Sequence, residues 1–221
     1  MNELLTKDDV INKLRHYAES PDDDVIRFKQ LVYQALSHSV ELLYALNVSE
    51  YESLLFDEDG NIKAEYDENG NLIPQDDWDA YFEYYIRPYL CIPETQETSH
   101  NILCYTFGFT EMPRYNDVLY YPNITFTILV DNKDAIDKNT GIARHDLIGS
   151  ILREKFNWSN IFGHQCDLVS NRESVTDTNY ITRTMVFQST KPKGIVKTDS
   201  PNGNPRIINR LGRCLHGRIY L

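Results

Sequence analysis

Residues 124–130 read ITFTILV, and this stretch alternates threonine with large apolar side chains at a period of two. Such alternation predicts a strand with one buried face and one half-exposed face. The preceding run at 102–109, ILCYTFGF, is β-branched and aromatic and predicts a neighbouring strand. A helical pattern follows over 144–156, and two further extended runs at 165–169 and 180–188 complete the block.

The block from 101 to 190 therefore reads strand, strand, helix, strand, strand. This order predicts an α/β fold of the α+β type, with a mixed or antiparallel sheet of about four or more strands flanked by helices. Strand alternation and helical spacing also predict which apolar side chains form the core. These are Phe107, Phe126, Ile128, Leu147, Ile151, Val186 and Phe187.

Four regions follow from composition and from turn signals along the 221 residues. We expect N-terminal helices over 1–48 that pack on the core, and an insertion over 49–99 that holds an acidic hairpin and an aromatic helix. The α/β sheet core spans 100–190, and a basic C-terminal arm spans 191–221. Dense proline and glycine at 190–204 predict an exposed arm without regular structure, and order resumes at 206–211.

The first two regions contain helix and turn signals. Thr6 and Asp9 fit an acidic capping box for a first helix, and apolar spacing predicts one second helix over 25–46. Between residues 56 and 74 the chain has one Asp-Gly sequence and one Asn-Gly sequence, which predict a small hairpin or two consecutive turns. A calcium loop is the alternative reading, but the ligands are out of register with an EF-hand. The segment 76–86 predicts an aromatic helix whose stripe packs in the core or binds a partner.

Charge and targeting signals narrow the classes of function. Residues 1–100 hold 22 acids and 7 bases, a net charge of −15, whereas residues 101–221 hold 11 acids and 15 bases, a net charge of +4. The acidic half argues against general affinity for nucleic acid, because phosphate contacts need lysine and arginine. We expect no secretory signal and no membrane span. The scattered cysteines, Cys91, Cys104, Cys166 and Cys214, are expected to be reduced thiols.

Candidate chemical groups are few. A zinc site from His164, Cys166, Cys214 and His216 lacks the usual ligand spacing. His145 and Asp146 are adjacent on a helix, so we expect them to point to different faces and to serve helix electrostatics or a partner contact. A metal-dependent nuclease would use Asp131, Asp167 and Glu173, with an acid-x-lysine sequence on a strand adjacent to that of Asp131, but neither Asp167 nor Glu173 is followed two residues later by lysine. We therefore expect no catalytic, cofactor-binding or metal site.

The element layout resembles the tail terminator and neck proteins of tailed bacteriophages. The resemblance covers about residues 101–190 and the helix before them: a strand that ends Val130-Asp131-Asn132, a polar loop, RHDLIGSILR at 144–153 and a short link to Phe162. It implies a structural virion protein without catalysis, which forms a hexameric or dodecameric ring and is assembled in the host cytoplasm. Its implied partners are its own copies and neighbouring neck, portal-adaptor or tail tube proteins, with genomic DNA passing through the lumen without specific recognition.

Within this reading, the acidic N-terminal half and the basic arm offer complementary charge to neighbouring subunits. The candidate interface residues are arginines of the arm: Arg206, Arg210, Arg213 and Arg218. The arm could equally fold back on its own sheet. A metal-dependent nuclease and a monomeric acidic binding or inhibitory protein are the alternative functions.

Overall fold

The structure is a computed structural model, and it describes residues 6–18, 24–37, 39–48, 55–63, 65–68, 72–73, 84–91, 100–110, 119–175, 180–192, 195–199 and 205–209. The helices are α1 Lys7–Ala18, α2 Asp24–Ser37, α3 Val40–Ala45 and α4 Arg144–Phe156, with a 3-10 turn at Asn132–Asp134. The strands are β1 Glu65–Tyr66, β2 Leu72–Ile73, β3 Ile86–Arg87, β4 Ile102–Thr110, β5 Leu119–Asp131, β6 Cys166–Val175, β7 Tyr180–Ser189, β8 Lys191–Pro192, β9 Ile195–Asp199 and β10 Pro205–Asn209.

The main sheet has the strand order β3–β4–β5–β7–β6. All neighbours are antiparallel except β3 and β4, which are parallel, so the sheet is mixed. Short β8 pairs with the start of β5. Helix α4 connects β5 to β6, and β7 lies between these two strands in the sheet. The predicted α+β class is confirmed.

The sheet buries one face against the helices, as the alternation in β5 predicts. Phe126 lies opposite Tyr105 of β4 and Met185 of β7, and all three are buried. This core also takes in Phe28 and Leu36 of α2 and residues of α3 and α4. Of the predicted core residues, Phe126, Ile128 and Phe187 are fully buried, and Phe107, Leu147 and Ile151 pack against them. Val186 was assigned wrongly: it pairs with Thr125 and lies half-buried on the opposite face.

The capping box is present at the start of α1, where the Thr6 N–H donates to Asp9 Oδ2 at 2.9 Å and the Asp9 N–H donates to Thr6 Oγ1 at 3.2 Å. The single helix predicted over 25–46 is wrong. It is divided into α2 and α3 because Ser39, in an extended conformation, caps α3 by accepting from the Leu42 N–H. Apolar spacing continues across this break, which hides it from the sequence pattern.

Two other predictions are corrected. Ile86, placed at the end of an aromatic helix, lies in β3, while Tyr84 and Tyr85 are the helical residues described before it. The arm is also more regular than predicted, because β9 and β10 form an antiparallel hairpin. The turn predictions hold: Phe56 bridges to Ile62 around Gly60, which has a φ of 82°, and β1 pairs with β2.

Candidate functional site

A charged cluster lies where the start of α4 meets β6 and β7. It comprises His145, Asp146, Glu173 and Arg183. Arg183 Nη2 contacts Asp146 Oδ1 and lies 3.2 Å from Glu173 Oε2. His145 Nε2 lies 3.5 Å from Glu173 Oε2 and 3.8 Å from Asp146 Oδ2. The expectation that His145 and Asp146 stay apart is thus wrong, because residues of the adjacent strands bring their side chains to one charged group.

A β-bulge in β6 directs Glu173 into this cluster. Leu168 pairs with Phe187, but Ser170 pairs with Val186, so Val169 is an extra residue in β6. Such an insertion reverses which residues face each side of the sheet. Glu173 therefore lies opposite Arg183 on the helix-covered face.

Gly149 of α4 makes room for the arginine of the cluster. A Cβ built at Gly149 would lie 3.2 Å from Arg183 Cδ and 3.4 Å from Met185 Sδ, which is closer than most such contacts. Any larger residue at 149 would press on the Arg183 stem, which passes between the helix and the sheet. The glycine therefore helps to set the position of the guanidinium.

The cluster has the donor types of a metal site but the charge balance of an ion-pair network. One ligand atom each from His145, Asp146 and Glu173 lies within 4.8 Å of the others, and imidazole and carboxylate groups bind Zn²⁺. However, Arg183 already compensates both carboxylates, and a second cation beside it would be repelled. The geometry thus favours an ion-pair network over a metal centre.

A second polar network joins α3, the turn after β5 and α4. Arg144 is buried, with Nε 3.2 Å from Asp134 Oδ2 and Nη2 3.1 Å from Asp137 Oδ1. Arg144 Nη1 also lies 3.3 Å from the carbonyl oxygens of Tyr44 and Ala45 at the end of α3. This network ties the N-terminal helices to the sheet core.

The acid at the centre of the second network has a perturbed pKa. Burial acts to raise the pKa of Asp137, but hydrogen bonds from Thr140 and the charge of Arg144 outweigh it, and the pKa is lowered. Thr140 donates to Asp137 Oδ2 through both its backbone N–H, at 2.8 Å, and its hydroxyl, at 2.7 Å. The carboxylate is therefore held ionised beside the arginine.

A tryptophan projects from the opposite end of α4. Trp158 is 74% exposed and has a φ of 65°, which bulky residues rarely adopt. The backbone N–H of Trp158 donates to the Cys166 carbonyl at 2.6 Å, and the backbone N–H of Cys166 donates to the Ser159 carbonyl at 2.9 Å. Asn157 Oδ1 accepts from the Leu168 N–H at 2.9 Å. These bonds to the start of β6 fix an exposed aromatic ring in a strained backbone position.

The carboxylates of the nuclease hypothesis are not brought together. In the register of the sheet, Asp131 lies at the level of Tyr180 and Asp167 at the level of Gln188, which places them roughly 27 Å apart along the strands. Glu173 lies on the opposite face from both. Asp131 instead caps the 3-10 turn, where it accepts from the Lys133 N–H.

The remaining sequence candidates lie mostly outside the described residues. Cys166 is buried and His164 exposed, whereas Cys214 and His216 are not described. Arg206 is in β10, and the other three predicted interface arginines, Arg210, Arg213 and Arg218, lie beyond the described residues. In the loop of the calcium alternative, the Asp57 carboxylate serves the local turn, because its Oδ1 accepts from the backbone N–H groups of Asp59 and Asn61.

Comparison with known proteins identifies the family. No curated protein matches the chain. Among the described residues, no helix combines the length and the apolar character needed to cross a bilayer. A sequence model of the YomW family matches residues 39–189, which include α3, the whole main sheet and both polar networks. The chain therefore belongs to the YomW family, a phage-derived family of the Bacillus SPbeta type.

Proposed function

We propose that this phage protein is a structural component of the virion, a ring-forming subunit of the neck that acts as a tail terminator or head–tail joining protein. In this role it performs no catalysis and acts through contacts with its own copies and with neighbouring neck or tail proteins. The family membership supports a phage role, and the layout of strands and α4 resembles the ring subunits of phage necks.

The observation that carries the proposal is the exposed Trp158. An aromatic ring left 74% exposed costs solvation free energy, and its left-handed backbone costs more, since glycine is usual at such positions after a helix. Strain of this kind clusters at functional sites, and tryptophan is enriched among residues that dominate binding energy in protein interfaces. Trp158 therefore fits the anchor of a subunit contact.

The neighbouring strand supports a side-chain contact rather than strand addition. β6 forms an outer edge of the main sheet, and Val169 and Val175 on it are 53% and 74% exposed. The bulge at Val169 and the charges of Asp167 and Arg172 oppose direct pairing with a foreign strand. A neighbour would then meet Trp158 and the exposed valines through its own side chains.

Ring closure from identical subunits needs two complementary surfaces on each chain. The proposal assigns one surface to Trp158 and the β6 edge. It assigns the other to the basic arm, with Arg206, Arg210, Arg213 and Arg218 facing acidic groups of the neighbour. The acidic groups would come from residues 1–100 of the neighbour, which carry a net charge of −15 against +4 for residues 101–221.

The test compares two substitutions at one position. Trp158→Gly removes the ring and also relieves the left-handed backbone, so the melting temperature should be equal to or above that of the wild type. Trp158→Phe keeps an aromatic anchor. Native mass spectrometry of the purified full chain should show oligomers for the wild type and Trp158→Phe, near 155 kDa for a hexamer of a 25.8 kDa chain, but monomers for Trp158→Gly. Unchanged oligomers in a well-folded Trp158→Gly protein would exclude this anchor.

A second test addresses the arm. Truncation after Pro192 retains β8, which pairs with β5, and removes β9, β10 and the four arginines. The shortened chain should keep the wild-type melting transition and lose assembly into rings or particles. Normal ring formation by the truncated chain would show that the arm contributes no subunit interface. A wild-type chain that stays monomeric and captures one basic partner would instead favour the binding-protein alternative.

A further inference from the structure

Two thiols lie in contact on the face of the sheet opposite the main core. Cys104 is on β4 and is 1% exposed, and Cys91 follows β3 and is half-buried. Their sulfur atoms are 3.3 Å apart. Both belong to a small apolar cluster with Ile102, Leu129 and Tyr180, so neither side chain points freely into solvent.

The strands hold these two cysteines together. Arg87 of β3 lies directly opposite Cys104 of β4 in the parallel pairing, and Cys91 comes four residues after Arg87. β3 itself contributes only Ile86 and Arg87 to the sheet. A link between the cysteines would therefore secure the short edge strand that pairs with β4.

We propose that Cys91 and Cys104 are a reversible dithiol–disulfide pair, reduced in the cytoplasm and closed to a disulfide when the protein meets an oxidising environment. The third described cysteine, Cys166, has a different setting. It is buried in the main core at the start of β6. The proposal rests on the geometry of the two sulfurs and not on the neck assignment.

The oxidant can be a low-molecular-weight disulfide such as oxidised glutathione. The half-buried Cys91 thiolate attacks one glutathione sulfur, forms a mixed disulfide and releases the first glutathione thiolate. The Cys104 thiolate then attacks the Cys91 sulfur and releases the second glutathione. Two protein thiols are oxidised, the glutathione disulfide is reduced to two thiols, and the protons of the protein thiols leave with them.

The two cysteines are suited to different steps. Burial raises the pKa of Cys104 to about 12, so little of it is thiolate at neutral pH and it attacks slowly. Cys91 is more accessible and is the better first nucleophile. Once Cys91 carries glutathione, however, the adjacent Cys104 has its target within contact distance. We therefore expect slow closure and a detectable mixed disulfide on the way.

The experiment incubates the full chain with oxidised glutathione and counts thiols. The four cysteines should give four titratable thiols in denaturant before oxidation and two after it. A non-reducing digest should contain one cross-linked peptide pair that joins Cys91 to Cys104. Because the bond closes a loop of 13 residues, the melting temperature should rise by roughly 5–10 °C and return on treatment with dithiothreitol.

Variants separate this pair from the other cysteines. Cys91→Ser should abolish the cross-link and the shift in melting temperature, whereas Cys214→Ser should leave both in place. Cys104→Ser provides a second negative variant if it folds, and the peptide map of the wild type does not depend on it. A glutathione adduct that never resolves, or a cross-link that involves Cys166 or Cys214 instead, would overturn the proposal.

Discussion

Substitution of Arg144 by methionine should strongly destabilise the protein. The guanidinium is buried and contacts two carboxylates, of Asp134 at 3.2 Å and of Asp137 at 3.1 Å, and two carbonyl oxygens at the end of α3. Methionine fills a similar volume but leaves these acceptors without a cation. Removal of one partner from a buried ion pair costs about 3–5 kcal/mol. For a chain of this length that corresponds to a fall in melting temperature of roughly 6–20 °C.

The assay is equilibrium unfolding in urea together with a thermal melt. Arg153→Met is the matched control, because Arg153 is exposed in the last turn of the same helix and should lose less than about 1 kcal/mol. Arg144→Lys should fall between the two, since one ammonium group cannot reproduce the planar contacts of a guanidinium. If the free energy of unfolding of Arg144→Met were within about 1 kcal/mol of the wild-type value, the Arg144 network would not be what holds α3 to the core.

Three further outcomes are expected. Phe126→Ala should cost about 3–5 kcal/mol in urea unfolding, while Val186→Ala, on the opposite face, should cost less than half as much. Because the pKa of Asp137 is lower in the folded chain than in the unfolded chain, its ionised carboxylate stabilises the fold at any pH above the unfolded pKa. The difference in free energy of unfolding between the wild type and Asp137→Asn should therefore be full at pH 7 and shrink as the pH falls below about 4. A difference that stays constant with pH would reject the assignment. Gly149→Ala should lower the melting temperature more than Ser150→Ala, because its Cβ meets Arg183.

The sequence pattern predicts those parts of the fold in which local and tertiary preferences agree. Helix α4 has the predicted bounds, 144–156, and β4 and β5 extend the predicted runs at their ends. The predicted β6 is too short because residues 170–174, SNRES, are polar. They continue as an exposed edge strand held by pairing with β7. A strand with one buried face shows alternating apolar residues in the sequence, whereas an exposed edge strand held by backbone pairing need not show such a pattern.

The charged cluster could be predicted only in part. Arg183 is the one visible signal, since it shares the alternation of Met185 and Phe187 and so places a charge on the core-facing side of β7. Its partner Glu173 could not be found, because the bulge at Val169 changes the face on which Glu173 lies. The strained Trp158 was also missed, since its conformation depends on hydrogen bonds to β6. Inter-strand register decides each of these features.

The proposal that this chain is a ring subunit of the phage neck is tested most directly by its copy number in purified phage particles. Quantitative mass spectrometry against an isotope-labelled standard would give copies of the chain per portal ring in the same particles. We predict six or twelve copies of the chain per portal ring, as a hexamer or dodecamer requires. This number should be retained after stringent washing and be equal in every preparation. Absence of the chain from intact particles, or a copy number that varies between preparations, would contradict the proposed function.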